Sequence, residues 1–482
     1  MLRPLMLQLI HDIDRHARFN PANTAICGKA RIVTYESLRN AIVNISAIFA
    51  SRKVPRGAKI FINSADEDLW TVAVLACLHF GLIPFCIWHP DNIASEVDYD
   101  LIVTSPEMID DNLQGDIVID DSVFGQAEQP ITLHARTDWQ PNELLAVGAT
   151  SGTTGRPKLL PWAYGQFSKR IAARAAGESG FRIVDTFGIT SSTGLTMLAA
   201  YFSGGFNLVR GDKDPSTTLR LINLFKVDKL KMSPKSVDTL MDSMALTGIK
   251  CPSVREIYMV GSAIPVPLLG KIEHHFSAEI YNAYGISEIG TVSKGKVSSN
   301  TYRPGMTGPV VTPLDFFTRS HEASGKDQFF VKNDPAYILG SYENGKAVPP
   351  DGDFYPLPDF GRIEDGIVYV EGRIDEVYNL SGTKVAYGAL TEFLVGLEGI
   401  DDAAVIRDPN SDDPFNLNVA IAHKTYVVHD TVMERLCRRL NKRTARDHIR
   451  LKSVDEIPRN SSGKVDRGPL LALFTEGAVR SD

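Results

Sequence analysis

The stretch that decides the fold reads Thr150-Ser151-Gly152-Thr153-Thr154-Gly155-Arg156-Pro157-Lys158. It follows the apolar run Leu144-Leu145-Ala146-Val147, which reads as a strand. Its two glycines let the backbone approach a ligand closely. Around them stand four hydroxyl side chains and a lysine. A loop this rich in hydroxyl and backbone N–H donors, with one cation, suits a polyphosphate. It is not a Walker A loop, which needs Gly, four residues, then Gly-Lys-Ser/Thr. The plainer alternative is a polar surface loop, and the order of hydroxyls, glycines, proline and lysine argues against it.

The same order resembles the signature of the acyl-adenylate-forming enzymes: acyl-CoA synthetases, adenylation domains of peptide synthetases, and luciferases. Their loop runs Ser/Thr-Ser-Gly-Thr/Ser-Thr-Gly-x-Pro-Lys. Further stretches follow in the family's order. The strand-like Glu256–Val260 runs into Gly261-Ser262-Ala263, which the resemblance makes an adenine-flanking loop. Next comes Tyr281-Asn282-Ala283-Tyr284-Gly285-Ile286-Ser287-Glu288, where the family has aromatic-Gly-x-Thr-Glu and this chain has Ser287 for Thr. Tyr284 offers a flat face to a purine, and Gly285 gives the backbone room. Ser287 offers a hydroxyl to the α-phosphate, and Glu288 a hard oxygen to Mg²⁺.

Arg303–Pro309 reads as a loop at the edge of the large domain. The segment 353–359 carries Pro356 and Pro358 and ends at Asp359. The family has Thr-Gly-Asp where this chain has Leu357-Pro358-Asp359, so the resemblance makes Asp359 the carboxylate for the ribose hydroxyls. Gly372-Arg373-Ile374-Asp375 matches the hinge stretch, with Arg373 beside the nucleotide and Asp375 as the hinge residue. Where the family usually has Glu-x-Glu opening a helix, Ala389 and Thr391 stand. The stretch Pro458 to Arg467 resembles the C-terminal loop that carries a catalytic lysine, here Lys464. Arg467, three residues on, is expected to matter much less.

The implied fold is α/β: a large domain of packed sheets and helices over 1–374, then a small mobile α+β domain over 375–482. The chain has 482 residues, too many for a single core. Thr34 reads as the N-cap of a helix with apolar Leu38, Ile42, Ile45, Ile48 and Phe49. Lys59–Asn63 reads as a strand, 70–79 as a helix, and 81–85 as the lead into another strand, the spacing of parallel α/β construction.

Composition excludes several classes. A net charge of −7 argues against binding driven by neutralising nucleic-acid phosphates. Apolar content of 43% and charged content of 23% are those of a globular protein. Five scattered cysteines without C-x-x-C form neither a disulfide framework nor a zinc site and fit a reducing cytoplasm. The longest apolar stretch, 71–88, is broken by His79, Gly81 and Pro84, so no membrane span is expected. The N-terminus reads as an amphipathic helix and not a signal peptide. Arg438, Lys442 and Arg446 recur every fourth residue. They form either a solvated helix face or a surface for CoA phosphates or an acidic carrier protein.

The resemblance implies two steps. A carboxylate attacks the α-phosphorus of ATP, giving acyl-AMP and pyrophosphate, and a thiol then displaces AMP. ATP, Mg²⁺ and CoA, or a carrier-protein phosphopantetheine, are the implied cofactors. Glu288, Ser287, Lys464 and the 150–158 loop would oppose the developing charge. No Ser or Cys sits in a nucleophile elbow. Ser191, Thr193, Gly194, Ser262 and Ile289 are candidates to line the acid pocket. Ser191 stands where relatives often have a histidine or aromatic residue. The aspartate that amino-acid-activating members use for a substrate ammonium is missing. An acid–CoA ligase is the first reading, a stand-alone enzyme loading a carrier protein the second, and a non-catalytic ligand-binding relative the third. Retention of Lys158, Glu288 and Lys464 argues against the third.

Overall fold

The computed structural model describes residues 5–28, 30–87, 97–109, 115–150, 158–175, 182–185, 187, 208–209, 214–380, 383–407, 417–423, 429–440, 446, 449–459 and 465–475. Thr34 caps the helix Tyr35–Ser51, its side chain accepting from the Ser37 amide at 3.2 Å. Leu38, Ile42, Ile45 and Phe49 are fully buried along one face, with Ile48 at its rim. The helix expected over 70–79 runs Glu67–Phe80. Asp66 caps it by accepting from the amides of Asp68 and Leu69, and Gly81 ends it at φ +90. Thirteen of its residues are buried, so it is apolar all round because it is covered all round.

The strand read over Lys59–Asn63 has those bounds and pairs in parallel with Ile83–Cys86. Both belong to a six-stranded sheet that continues from Ile83–Cys86 through Leu144–Thr150 to the edge strand Lys158–Ala163. These last two form an antiparallel hairpin, with Thr150 opposite Lys158. A second sheet has eight strands, parallel through Glu256–Val260 and Glu279–Ile286 and closed by the antiparallel strand Gly290–Val297. A third, of five strands, is antiparallel in every pairing. From Val377 onward the chain forms a hairpin, then a three-stranded sheet, Asp402–Arg407, Leu417–Ala422 and Ile449–Val454. This last sheet has its own core of Leu390, Leu394, Val419, Ile421 and Leu436. The whole is an α/β fold with a large N-terminal and a small C-terminal part.

Two expectations change, and two prolines lie in a strand. The segment 303–309 is only partly a loop, because Met306–Pro309 pairs with Ile367–Arg373 as a strand. Pro356 and Pro358 lie within the strand Phe354–Glu364. They are tolerated there because Ile367–Arg373 pairs with that strand only from Asp359 onward. The two prolines sit where the strand has a partner on one side and where its register with Lys326–Lys332 is irregular. Finally, the basic face is not carried by one helix. The helix His429–Arg439 stops before Lys442, which lies outside the described residues. Arg438 pairs with Glu434, and Arg446 with Asp430, as solvated side chains do. Among the described residues no helix is long and apolar enough to cross a membrane.

Candidate active site

The site is built where the eight-stranded and five-stranded sheets meet. Tyr284 lies near the end of the strand Glu279–Ile286, and Asp359 near the middle of Phe354–Glu364. The Tyr284 hydroxyl donates to Asp359 Oδ2 at 2.7 Å across that junction. Burial, followed by the Asp359 carboxylate, pushes the Tyr284 hydroxyl well above its ordinary pKa, so it stays a donor. Asp359 faces Arg373 in register on the neighbouring strand. Burial works against the Arg373 charge, yet Asp375, Asp359 and Glu376 outweigh it and raise its pKa. Arg373 Nε also bonds Asp375 Oδ1 at 3.1 Å.

Glu288 and Ser287 lie in the tight turn joining Glu279–Ile286 to Gly290–Val297, both half-buried. The turn can be this tight because Gly285 and Gly290 stack: a Cβ on Gly285 would fall 2.3 Å from the Gly290 carbonyl oxygen. Gly290 also sits at φ +91, a region that favours glycine. The helix Tyr164–Ala175 braces the turn from outside. Gln166 Nε2 donates to the Glu288 carbonyl at 2.6 Å, and the Arg170 guanidinium packs against Gly290. That helix directly follows the strand opened by Lys158. The glycine-rich hairpin and the Glu288 turn are therefore linked through one element. Tyr355 also faces Glu288, and burial first, then that carboxylate, raises its pKa.

The other expected residues are placed as follows. Thr150 ends one strand of the first hairpin, and Lys158, exposed, begins the other. Ser151, Gly152, Thr153, Thr154 and Gly155 lie outside the described residues, as do Ser191, Thr193, Gly194 and Lys464. Gly261, at φ +97, Ser262 and Ala263 form an exposed turn between the strand Glu256–Val260 and the helix Val266–His275. Asn282 is buried, and its Nδ2 donates to the Met306 carbonyl at 2.7 Å; its observed role is to brace the next sheet. Ile289 is buried with Val292, Phe329 and Leu357 in the core beneath the five-stranded sheet. Asp375 is exposed, in the single 3₁₀ turn Ile374–Glu376.

Gln166 and Arg170 went unnoticed in the sequence. Their one signal is an i, i+4 polar pair on a helix just after the glycine-rich stretch, which an ordinary solvated helix also shows. Among the described residues no cluster of three His, Cys, Asp or Glu side chains could hold a metal by itself. A lone Glu288 carboxylate suits Mg²⁺, which is bound by one or two carboxylates together with substrate phosphates and water. Asp359, which accepts from Tyr284, is a carboxylate and so has the chemistry to take hydroxyl donors such as those of a ribose.

Known proteins resemble this chain in sequence and fold. FR901469 synthetase from Dothideomycetidae sp. is 25% identical over 64% of this chain, although the chain spans only 2% of that protein. The 2-succinylbenzoate–CoA ligase of Lactococcus lactis is 23% identical, over 71% of this chain and 73% of the ligase. Among solved structures, o-succinylbenzoate CoA synthetase from Bacillus subtilis, in complex with its acyl-adenylate intermediate, superposes with a TM-score of 0.77. The match is 17% identical and covers 100% of this chain and 99% of that one. Likeness at this identity speaks for the fold. The sequence itself matches the AMP-binding enzyme description over residues 13–315, a span that includes the glycine-rich hairpin, Tyr284 and Glu288. On that match, well over half of its length, the chain belongs to the AMP-binding enzyme family.

Proposed function

We propose that the protein is an AMP-forming acid–thiol ligase. It joins a carboxylic acid to ATP, giving acyl-AMP and pyrophosphate, and then passes the acyl group to the thiol of CoA, releasing AMP. The observation that carries this reading is the Tyr284–Asp359 hydrogen bond at the sheet junction, with Arg373 and the Glu288 turn beside it. In this reading Tyr284 stacks on adenine and Asp359 takes the ribose hydroxyls, while Arg373 balances the carboxylate. Ser287 and the Thr150–Lys158 hairpin bind phosphate oxygens, and Glu288 holds Mg²⁺. The metal would supply positive charge where the phosphates gather it. The large domain ends at residue 374, Asp375 is the hinge, and the small domain carries Lys464. Five free cysteines accord with a reducing compartment such as the cytoplasm.

Lys464 is assigned to the first step only. There, negative charge collects between the acid's carboxylate and the α-phosphate, and a compact cation with rotatable donors can bridge both. The test is to incubate the protein with ATP, Mg²⁺ and a panel of acids, with CoA or a phosphopantetheinylated carrier protein. Acid-dependent pyrophosphate and AMP, with thioester formed on CoA, is the expected result. ADP in place of AMP, or no pyrophosphate with any acid, defeats the reading, and thioester only on the carrier replaces CoA as acceptor. Lys464→Ala should slow acyl-AMP formation by about 10²–10³-fold, the range for losing one transition-state donor. Thioester formation from synthetic acyl-AMP should stay near wild type.

A further inference from the structure

The sequence gives Arg467 little to do, but the structure gives it a partner 91 residues away. Its guanidinium forms an ion pair with the Glu376 carboxylate, and both side chains are partly shielded from water. Glu376 is the last residue of the 3₁₀ turn that contains Asp375, and it lies within electrostatic reach of Arg373. Arg373 in turn faces Asp359, which holds Tyr284. Arg467, Glu376, Arg373 and Asp359 therefore alternate in sign from the end of the 458–467 stretch to the sheet junction.

The other end of that stretch is also tethered. Arg459 Nη2 bonds both carboxylate oxygens of Asp402, at 2.8 and 3.0 Å. Arg459 and Val465 are bridge partners, and the Asp466 amide donates to the Pro458 carbonyl at 2.8 Å. The two ends thus stand side by side, each pinned by an arginine to a carboxylate: one in the C-terminal sheet, the other in the turn next to Asp375.

We propose that Arg467 is a positioning residue: by gripping Glu376 it ties the lysine-bearing stretch to the first residue beyond the hinge, so that turning the hinge and displacing Lys464 are one motion. This rests on the acid-activation reading above. Glu376 follows Asp375, so the pair lies wholly on the C-terminal side of the hinge and survives its rotation. Lys235 is different. Its Nζ lies 4.0 Å from Asp402 Oδ2, from a helix of the N-terminal part, and rotation would separate them. An ion pair partly shielded from water holds its geometry better than one on the open surface, as a strut must.

The experiment compares wild type with Arg467→Met, Glu376→Gln, the double variant and Arg467→Lys. Three quantities are measured: acyl-AMP formation, thioester formation from synthetic acyl-AMP, and the thermal midpoint. Each single loss should slow acyl-AMP formation about tenfold, the scale of coupling between contacting charges. The second half-reaction should change by less than about twofold, within what an uncoupled site shows. The double variant should be no slower than the worse single one, and Arg467→Lys should recover most of the rate. Equal loss in both half-reactions with a lowered midpoint would make the pair merely structural and overturn the proposal. Unchanged rates, or single effects that multiply in the double variant, would overturn it as well. A wild type that releases no pyrophosphate with any acid would instead remove the activity itself, which separates the two failures.

Discussion

Tyr284 and Asp359 show how one hydrogen bond joins two sheets. The phenol donates to one oxygen of a carboxylate that the proposed function assigns to the ribose hydroxyls. Asp359→Ala should therefore raise the KM for ATP, since bonds from hydroxyls to a charged carboxylate contribute about 1.5–3 kcal/mol each. Wild-type enzyme that uses 2′-deoxy-ATP as well as ATP would rule out the ribose role. Glu288 offers a cleaner substitution, because Gln166 grips its backbone carbonyl and not its carboxylate. Glu288→Ala leaves that brace intact and removes only the hard oxygen. Loss of about 3 kcal/mol of transition-state stabilisation, roughly a hundredfold in rate, is expected for acyl-AMP formation. Titration of the rate with Mg²⁺ checks it, and an unchanged rate and metal dependence would take Glu288 out of the chemistry.

At the scale of elements, the helix Glu67–Phe80 carries a consequence of being buried on every side. His79 sits in it fully enclosed, with Nε2 at 2.5 Å from the Ile131 carbonyl and Nδ1 at 2.8 Å from Ser46 Oγ. A carbonyl only accepts, so Nε2 carries the proton and Nδ1 accepts from the Ser46 hydroxyl. Burial lowers the His79 pKa from 6.5 to about 4, with the Ile131 carbonyl opposing and His134 and Arg56 adding to the fall. The unfolded chain therefore binds a proton between these values that the folded chain refuses. The stabilisation is complete above pH 6.5 and is lost as pH falls toward 4, by on the order of 3 kcal/mol at most. Thermal midpoints of wild type and His79→Gln between pH 7.5 and about 4 test this linkage. The wild type should lose stability more steeply on acidification, and parallel curves would exclude His79 as the cause.

At the scale of the whole molecule, the two half-reactions of the proposed function would ask for different surfaces of the C-terminal part over one site. A few backbone angles between the domains must then change. Asp375 is exposed in a single 3₁₀ turn, and it is the residue proposed to absorb that change. Asp375→Pro fixes φ near about −65° and removes an N–H. One half-reaction should survive and the other fail, measured separately as pyrophosphate release and as transfer from synthetic acyl-AMP. Equal loss of both, with a lowered thermal midpoint, would indicate misfolding and not a hinge.

What the sequence by itself determined is local. The strands Lys59–Asn63 and Glu256–Val260 have the bounds read from their apolar runs, and Thr34 caps the helix its side chain announced. Such features depend on neighbours within a turn or two, so their cause lies in the string itself. The order of the glycine-rich hairpin, the Tyr284–Glu288 turn and the Gly372–Asp375 stretch likewise identified the family. Tertiary structure alone decided who meets whom. Gln166 reaches Glu288 across 122 positions and Tyr284 reaches Asp359 across 75, and no period records such a meeting. It also decided that two prolines could sit within a strand, because the neighbouring strand begins its pairing just beyond them. Arg467 shows the same division. In the sequence it is a basic residue after a glycine loop, and only the folded chain brings Glu376 to it, because pairing at long range is settled by packing and leaves no mark on the residues between.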